Sequence, residues 1–372
     1  MVPLRMKFFL STMQRRSAQA PLHVLALGFF LLAVSACSGS STLDPAVAGP
    51  WPVGVTRVEF HDADRNRTLL TEVWYPAAEE ARGMEPTAAA SYLPADLESL
   101  ADNATVPGVS VRDVAVAGNG PWPLVLFSHG NNGIRFQNVY QMEHLASHGY
   151  VVAALDHDGN TYFDSSADPA KLSEDRPLDL IYVLDQMLLQ SSAADTAFTG
   201  WIDDAAPIGA TGMSFGAFTV VVAAGMDGRI AAVLPQVWTG PISEDYNTPT
   251  LLMLAGEDKT TGLAGNDAMR DTYAAADGPR VLVEVPDAGH FSFSFSCYLG
   301  LGIGAGDGCG EGTRHADGST FEFIESMDVW DLTNTYSAAL FGRYLKGIEA
   351  YESTLASNIA PEIMAHKSDQ ID

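Results

Sequence analysis

The chain has 372 residues, 47% of them hydrophobic and 18% charged, with 34 glycines and 20 prolines. That is too apolar for a disordered chain and too poor in charge for a coiled coil, and the length allows one large or two medium domains. Against 46 acids stand 20 bases, a formal charge of −26. No basic stripe occurs beyond the first 16 residues, which excludes a phosphate-neutralising nucleic-acid surface.

Residues 1–36 read as a signal peptide. Arg5, Lys7, Arg15 and Arg16 precede an apolar run over 22–34, too short to cross a bilayer but suited to the apolar core of a leader. Arg15-Arg16 lacks the apolar residues that follow a twin-arginine signal and reads as simple positive charge. Val34-Ser35-Ala36-Cys37 resembles the bacterial lipobox, which implies that Cys37 is lipidated and becomes the new N-terminus. Ordinary cleavage nearby and free secretion is the alternative. Residues 37–50 then read as a flexible Ser/Gly/Pro tether, and the expected location is the bacterial cell envelope, through a lipid anchor in the membrane. With Cys37 so used, Cys297 and Cys309 remain as an isolated pair in an oxidising compartment, and a disulfide between them is predicted.

From residue 53 onward, strands lead. Residues 55–60 and 69–74 alternate with period two, as exposed antiparallel strands at a sheet edge do. Residues 123–127, 150–155, 206–210, 230–234, 250–254 and 281–285 are mostly unbroken apolar runs, expected of parallel strands buried on both faces. Helical spacing lies between most of them, notably over 139–146, 178–189 and 336–345. Strands separated by helices make a doubly wound, mostly parallel α/β sheet. One catalytic domain over 51–355 accounts for the pattern, leaving 356–372 as a C-terminal tail; a monomer is the default.

Two stretches break the rhythm. Residues 78–121 form an Ala/Pro/Gly-rich excursion, and 298–320 carry alternating glycines; both read as binding loops or mobile surface. Asp307 and Glu311 lie among those glycines without any metal-ligand spacing. Asp156-His157-Asp158-Gly159-Asn160 resembles a calcium loop only superficially, since its glycine comes too early. No metal site is expected.

The chemistry lies in Gly212-Met213-Ser214-Phe215-Gly216, after the strand at 206–210 and before helical spacing over 217–224. A serine on such a strand-to-helix turn stands above the sheet, and glycines flank it because larger side chains collide there. A hydroxyl needs a base, and the base an orienting acid. The strand at 281–285 runs into Gly289-His290, making His290 the base. The strand at 250–254 runs into Gly256-Glu257-Asp258, offering Asp258 as the acid with Glu257 as the alternative. The oxyanion hole needs two main-chain N–H groups. Phe215 supplies one; Asn131, in Ser128-His129-Gly130-Asn131-Asn132-Gly133, supplies the other. His129 braces that loop by hydrogen bonding.

These residues together resemble an α/β-hydrolase, and more narrowly the bacterial predicted dienelactone hydrolase group related to platelet-activating factor acetylhydrolases. The likeness extends to Trp51-Pro52-Val53-Gly54, Asp64-Arg65-Asn66-Arg67, Glu72-Val73-Trp74-Tyr75-Pro76, Leu145-Ala146-Ser147-His148-Gly149-Tyr150 and Gly289-His290-Phe291-Ser292-Phe293. It implies a carboxylic-ester hydrolase without metal or organic cofactor, acting on a small-molecule, lipid or polymeric ester. Dienelactone hydrolases proper use a cysteine where Ser214 stands. The animal acetylhydrolases place their acid one strand earlier, where this chain reads Leu234-Pro235-Gln236-Val237-Trp238. The acid position and that Pro-x-x-Trp segment instead look like bacterial cutinases and polyester hydrolases, which implies that Trp238, Phe215 and Asn131 line an acyl pocket; Phe291 is the second aromatic assigned to the substrate. Lactone or amide cleavage, acyl transfer, and a non-catalytic envelope-anchored binding protein are the competing readings. A dehalogenase would need aspartate at 214.

Overall fold

The computed structural model describes residues 43–93, 108–299 and 302–371. The expected signal peptide, Cys37 and the first residues of the tether lie outside them.

Twelve strands are described: β1 (Val53–Asp62), β2 (Arg67–Pro76), β3 (Val111–Arg112), β4 (Leu124–Ser128), β5 (Val151–Leu155), β6 (Ile208–Met213), β7 (Ile230–Gln236), β8 (Thr250–Ala255), β9 (Arg280–Val285), β10 (Glu311–Thr313), β11 (Thr320–Glu322) and β12 (Ala365–Asp369). Ten form one sheet in the order β12-β9-β8-β7-β6-β4-β5-β2-β1-β3; β10 and β11 pair as a separate hairpin. The stretch β5-β4-β6-β7-β8-β9 is parallel throughout, while β2 joins β5, β1 joins β2 and β12 joins β9 antiparallel. This is the α/β-hydrolase arrangement with antiparallel strands at both flanks.

The pleat explains the unbroken apolar runs. In β4, Val125 and Phe127 point into one core with Val139, Met142 and Leu145 of helix α1 (Val139–Ser147) and Tyr336 and Leu340 of helix α5 (Ser326–Lys346). Leu124 and Leu126 point into the opposite core with Leu180, Val183 and Leu184 of helix α2 (Leu172–Ser192) and Val220 of helix α3 (Phe215–Met226). Met269 of a further helix, α4 (Gly262–Ala275), covers Leu252, Leu254 and Leu282. Both faces of each central strand are thereby dry, so nearly every position is apolar, and the polar exceptions such as Ser128, Thr211 and Gln236 are hydrogen-bonded.

Four expectations change. The N-terminal pair is not the sheet edge on that side: β3, from within the 78–121 excursion, pairs in parallel with β1 outside it, and β2 is almost wholly buried between β1 and β5. The tail is not outside the domain, because β12 closes the other edge against β9. Residues 43–50 are docked rather than a free tether. His144 Nε2 donates to the Pro45 carbonyl (3.0 Å), His148 Nε2 to the Val47 carbonyl (2.8 Å), and Tyr351 to the Leu43 carbonyl (2.8 Å). The glycine-rich stretch, finally, is built structure: a disulfide joins Cys297 and Cys309 (S–S 2.01 Å), β10–β11 follows, and Asp307 is buried.

Candidate active site

Ser214, Asp258, His290 and Asn131 all follow the carboxyl ends of parallel strands, β6, β8, β9 and β4 respectively, where open α/β sheets place their sites. Ser214 sits between β6 and α3 with φ 58° and ψ −124°, a backbone state that a serine adopts only when its surroundings impose it. Its N–H donates to the Gln236 carbonyl at the end of β7 (2.8 Å), which pins the turn to the sheet. The flanking glycines are obligatory: a Cβ at Gly216 would collide with the Ser128 carbonyl, and one at Gly212 with the Gly216 carbonyl.

His290 Nδ1 hydrogen-bonds Asp258 Oδ2 at 2.7 Å, with both side chains buried. Glu257 is occupied elsewhere. Its Oε2 accepts from the His315 N–H (2.7 Å) and from Lys259 Nζ (3.1 Å). Of the two candidate acids, the structure brings Asp258 to the imidazole. Ser214 and His290 line one cavity of about 250 Å³ without a hydrogen bond between them; in sites of this kind such bonds are commonly open until substrate tightens them.

No described residue accepts a hydrogen bond from the main-chain N–H of Asn131 or Phe215, whereas the neighbouring Gly130 N–H is taken by Gln137 Oε1 (3.1 Å). The loop rests on a buried network. Arg176 of α2 donates to the His129 carbonyl, to Ser128 Oγ (3.1 Å) and to Asn160 Oδ1 (2.7 Å), and its guanidinium lies 4.7 Å above the Phe215 ring. Ser128 Oγ bonds His157 Nε2 (2.9 Å), and His157 Nδ1 meets Asp179 (3.0 Å), which Arg67 also grips through two bonds of 2.6 Å. The expected brace His129 is part of it: its Nε2 accepts the His157 N–H (3.2 Å), so Nδ1 carries the proton given to the Gly130 carbonyl (2.7 Å). Burial first, then the Arg176 charge, holds both histidines well below the usual imidazole range. Burial also pulls Arg176 down to about 9.

The cavity is mostly apolar, with Tyr92, Ile134, Phe136, Met213, Phe291 and Phe295 among its walls. The two irregular stretches contribute to it, Tyr92 and Leu93 from one, Leu299 and Ile303 from the other. Phe291, the other aromatic assigned to the substrate, is among the cavity walls. Trp238 is not: it stands 37% exposed, packed 6.2 Å from the Phe215 ring, and is absent from the cavity walls, as is Phe215 itself. Val237 before it takes a positive φ of 53° and is itself buried, while the Trp238 side chain stays partly in solvent beside Phe215. Arg176, Asp179, Gln137 and Asp307 escaped sequence reasoning as site residues; a buried arginine within a helix carries no local mark of what it will meet.

Two comparisons bear on this arrangement. A family model described as "Platelet-activating factor acetylhydrolase, isoform II" matches residues 36–183, a span that includes β1 to β5 and the loop over 128–133 and ends before Ser214. Among solved structures, a ferulic acid esterase from Streptomyces cinnamoneus matches with a TM-score of 0.63 and 24% identity, over 81% of this chain and 92% of that one. The chain has the α/β-hydrolase fold, and over residues 36–183 it is similar to the platelet-activating factor acetylhydrolase family.

Proposed function

We propose that the protein is a serine carboxylic-ester hydrolase working through an acyl-enzyme. The observation that carries this is the strained Ser214 sharing one apolar cavity with His290, whose far nitrogen is bonded to buried Asp258. His290 Nε2 takes the Ser214 proton as Oγ attacks the ester carbonyl, and Asp258 holds the imidazole in the tautomer with Nδ1 protonated. The N–H groups of Phe215 and Asn131 receive the oxyanion; the N-terminal end of α3 adds its dipole. His290 then protonates the leaving alcohol, and water deacylates the enzyme by the same route.

The cavity walls favour an apolar acyl group, and a volume of about 250 Å³ favours a compact one. The names of the similar family and of the esterase support ester cleavage as the reaction. The test is a p-nitrophenyl ester series from acetyl to palmitoyl with a fluorophosphonate probe. Labelling at Ser214 and a rate falling with long chains are expected; hydrolysis retained by Ser214→Ala would overturn the reading. Anchoring through Cys37 at the cell envelope is the accompanying proposal, and loss of lipid incorporation in Cys37→Ser tests it.

A further inference from the structure

The disulfide-closed loop presses a third carboxylate against the two catalytic loops. Asp307 is buried, and its Oδ1 accepts the main-chain N–H of His290 (2.9 Å) and of Lys259 (2.8 Å), the residue directly after Asp258. Its Oδ2 accepts the Thr260 hydroxyl (2.7 Å), and its carbonyl accepts the Phe291 N–H (2.9 Å). The backbones touch as well: a Cβ on Gly289 would collide with Gly308 N and the Asp307 carbonyl carbon, and one on Gly308 with Ser292 N. Asp307 reaches this place from a loop whose far end is tied by Cys309, two residues on, to Cys297.

We propose that Asp307 is a positioning residue of the hydrolase, a clamp that sets the distance between acid and base. The inference rests on the triad reading given above. Its physical basis is convergence. The acid loop and the base loop come from different strands; beyond the sheet the Gly256 N–H on the Val285 carbonyl and the Glu257 N–H on the Ala288 carbonyl (2.9 Å each) tie their near ends, but neither bond fixes how the residues that follow stand to one another. One carboxylate oxygen shared by the N–H groups of His290 and Lys259 does fix it, and it can do so only while the carboxylate is held in place. Charge-assisted bonds of this kind are stronger than neutral ones, and removing the acceptor leaves three donors without a partner in the protein. The disulfide has a role in the same device, because it restrains the segment that carries Asp307.

The experiment measures kcat and KM on a short-chain p-nitrophenyl ester for wild type, Asp307→Ala, Asp307→Asn, Ser214→Ala, and Cys297→Ala/Cys309→Ala in wild-type and Asp307→Ala backgrounds. Misplacing a reacting group by about 1 Å costs ~100-fold, so Asp307→Ala should lose about that in kcat, with KM within about twofold. Asp307→Asn keeps one oxygen for the two N–H groups and should recover most of the loss, to within about tenfold of wild type. Removing the disulfide should lower kcat in the wild-type background and add nothing further in Asp307→Ala, since both act on one restraint. Wild-type kcat in Asp307→Ala, a loss confined to KM, or independent additive losses would each overturn the proposal. Should the alanine variant fail to fold, Cys297→Ala/Cys309→Ala in the wild-type background decides alone, and an unchanged kcat there refutes the clamp. An active Ser214→Ala removes the triad reading itself, whereas an inactive one beside an unimpaired Asp307→Ala removes only this inference.

Discussion

His290 and Asp258 meet through Nδ1 and Oδ2 at 2.7 Å, 32 residues apart in the chain and both buried. The neighbouring Glu257 points away into the hairpin, where it receives the His315 N–H and the Lys259 ammonium. Adjacent carboxylates thus have separate partners, one the imidazole and the other a loop.

Asp258→Asn should therefore cost ~10⁴-fold in kcat, because an amide in that place favours the wrong imidazole tautomer. Glu257→Gln, which leaves the imidazole's partner intact, should stay within about tenfold of wild type. Steady-state kinetics on one ester settles both. Equal losses in the two variants would contradict the assignment of the acid.

What could be read in the chain beforehand was whatever local chemistry dictates. Ser214 was legible because a tight strand-to-helix turn demands small neighbours, and Gly216 is forced by the Ser128 carbonyl. His290 and Asp258 were legible because the acid and the base follow late apolar strands in that order. The C-terminal strand was not, since Ala365–Asp369 is a polar edge strand with no apolar face to announce it. Asp307 was seen only as an acid among glycines. Its role depends on a fold-back that brings it against His290 and Lys259. Trp238 was misplaced because nothing in the local sequence marks the positive φ of Val237 before it or the exposure of the indole.

Arg176 is fully buried and holds the loop over 128–133 by the His129 carbonyl and Ser128, and also Asn160, while lying over Phe215. Arg176→Met removes these bonds and leaves their acceptors dry. Breaking a buried charged network of this kind costs ~3–5 kcal/mol, which should appear as a clear loss of thermal stability. The surviving folded enzyme should lose more in kcat than in KM, because both N–H donors sit on elements that Arg176 braces. Arg176→Lys cannot span the same acceptors with one ammonium and should rescue little. Calorimetry with kinetics checks this, and a lysine variant at wild-type kcat would refute it.

Gly216→Ala places a methyl group against the Ser128 carbonyl, and neither backbone can yield, since β4 and β6 are paired neighbours deep in the sheet. Overpacking against such fixed atoms costs ~1–3 kcal/mol or more, and activity should vanish together with stability. Gly225→Ala, where nothing lies within 4 Å of the added carbon, should be neutral or slightly stabilising. Melting temperatures of the two variants test the contrast.

Acid should destabilise the fold before the carboxylates of the unfolded chain titrate. His129 and His157 are held well below the ordinary imidazole value by burial; His148 is lowered, and His144 is brought to about 4, by the same cause. In the unfolded chain each takes up a proton near pH 6.5 that the folded protein refuses, so the stability these groups permit is complete above that pH and declines below it. Each contributes up to ~1.4 kcal/mol per pH unit of decline. Burial raises Asp156 and Glu143, which bind protons more readily folded than unfolded and oppose the trend on the acidic side. The decline should thus be steepest from about pH 6.5 down to about pH 5, the interval in which unfolded imidazoles charge but unfolded carboxylates do not. Urea unfolding at fixed steps across that interval measures it, and a free energy that stays level or rises toward pH 5 would show that the histidines beneath the oxyanion loop are not the neutral hydrogen-bonding groups the network requires.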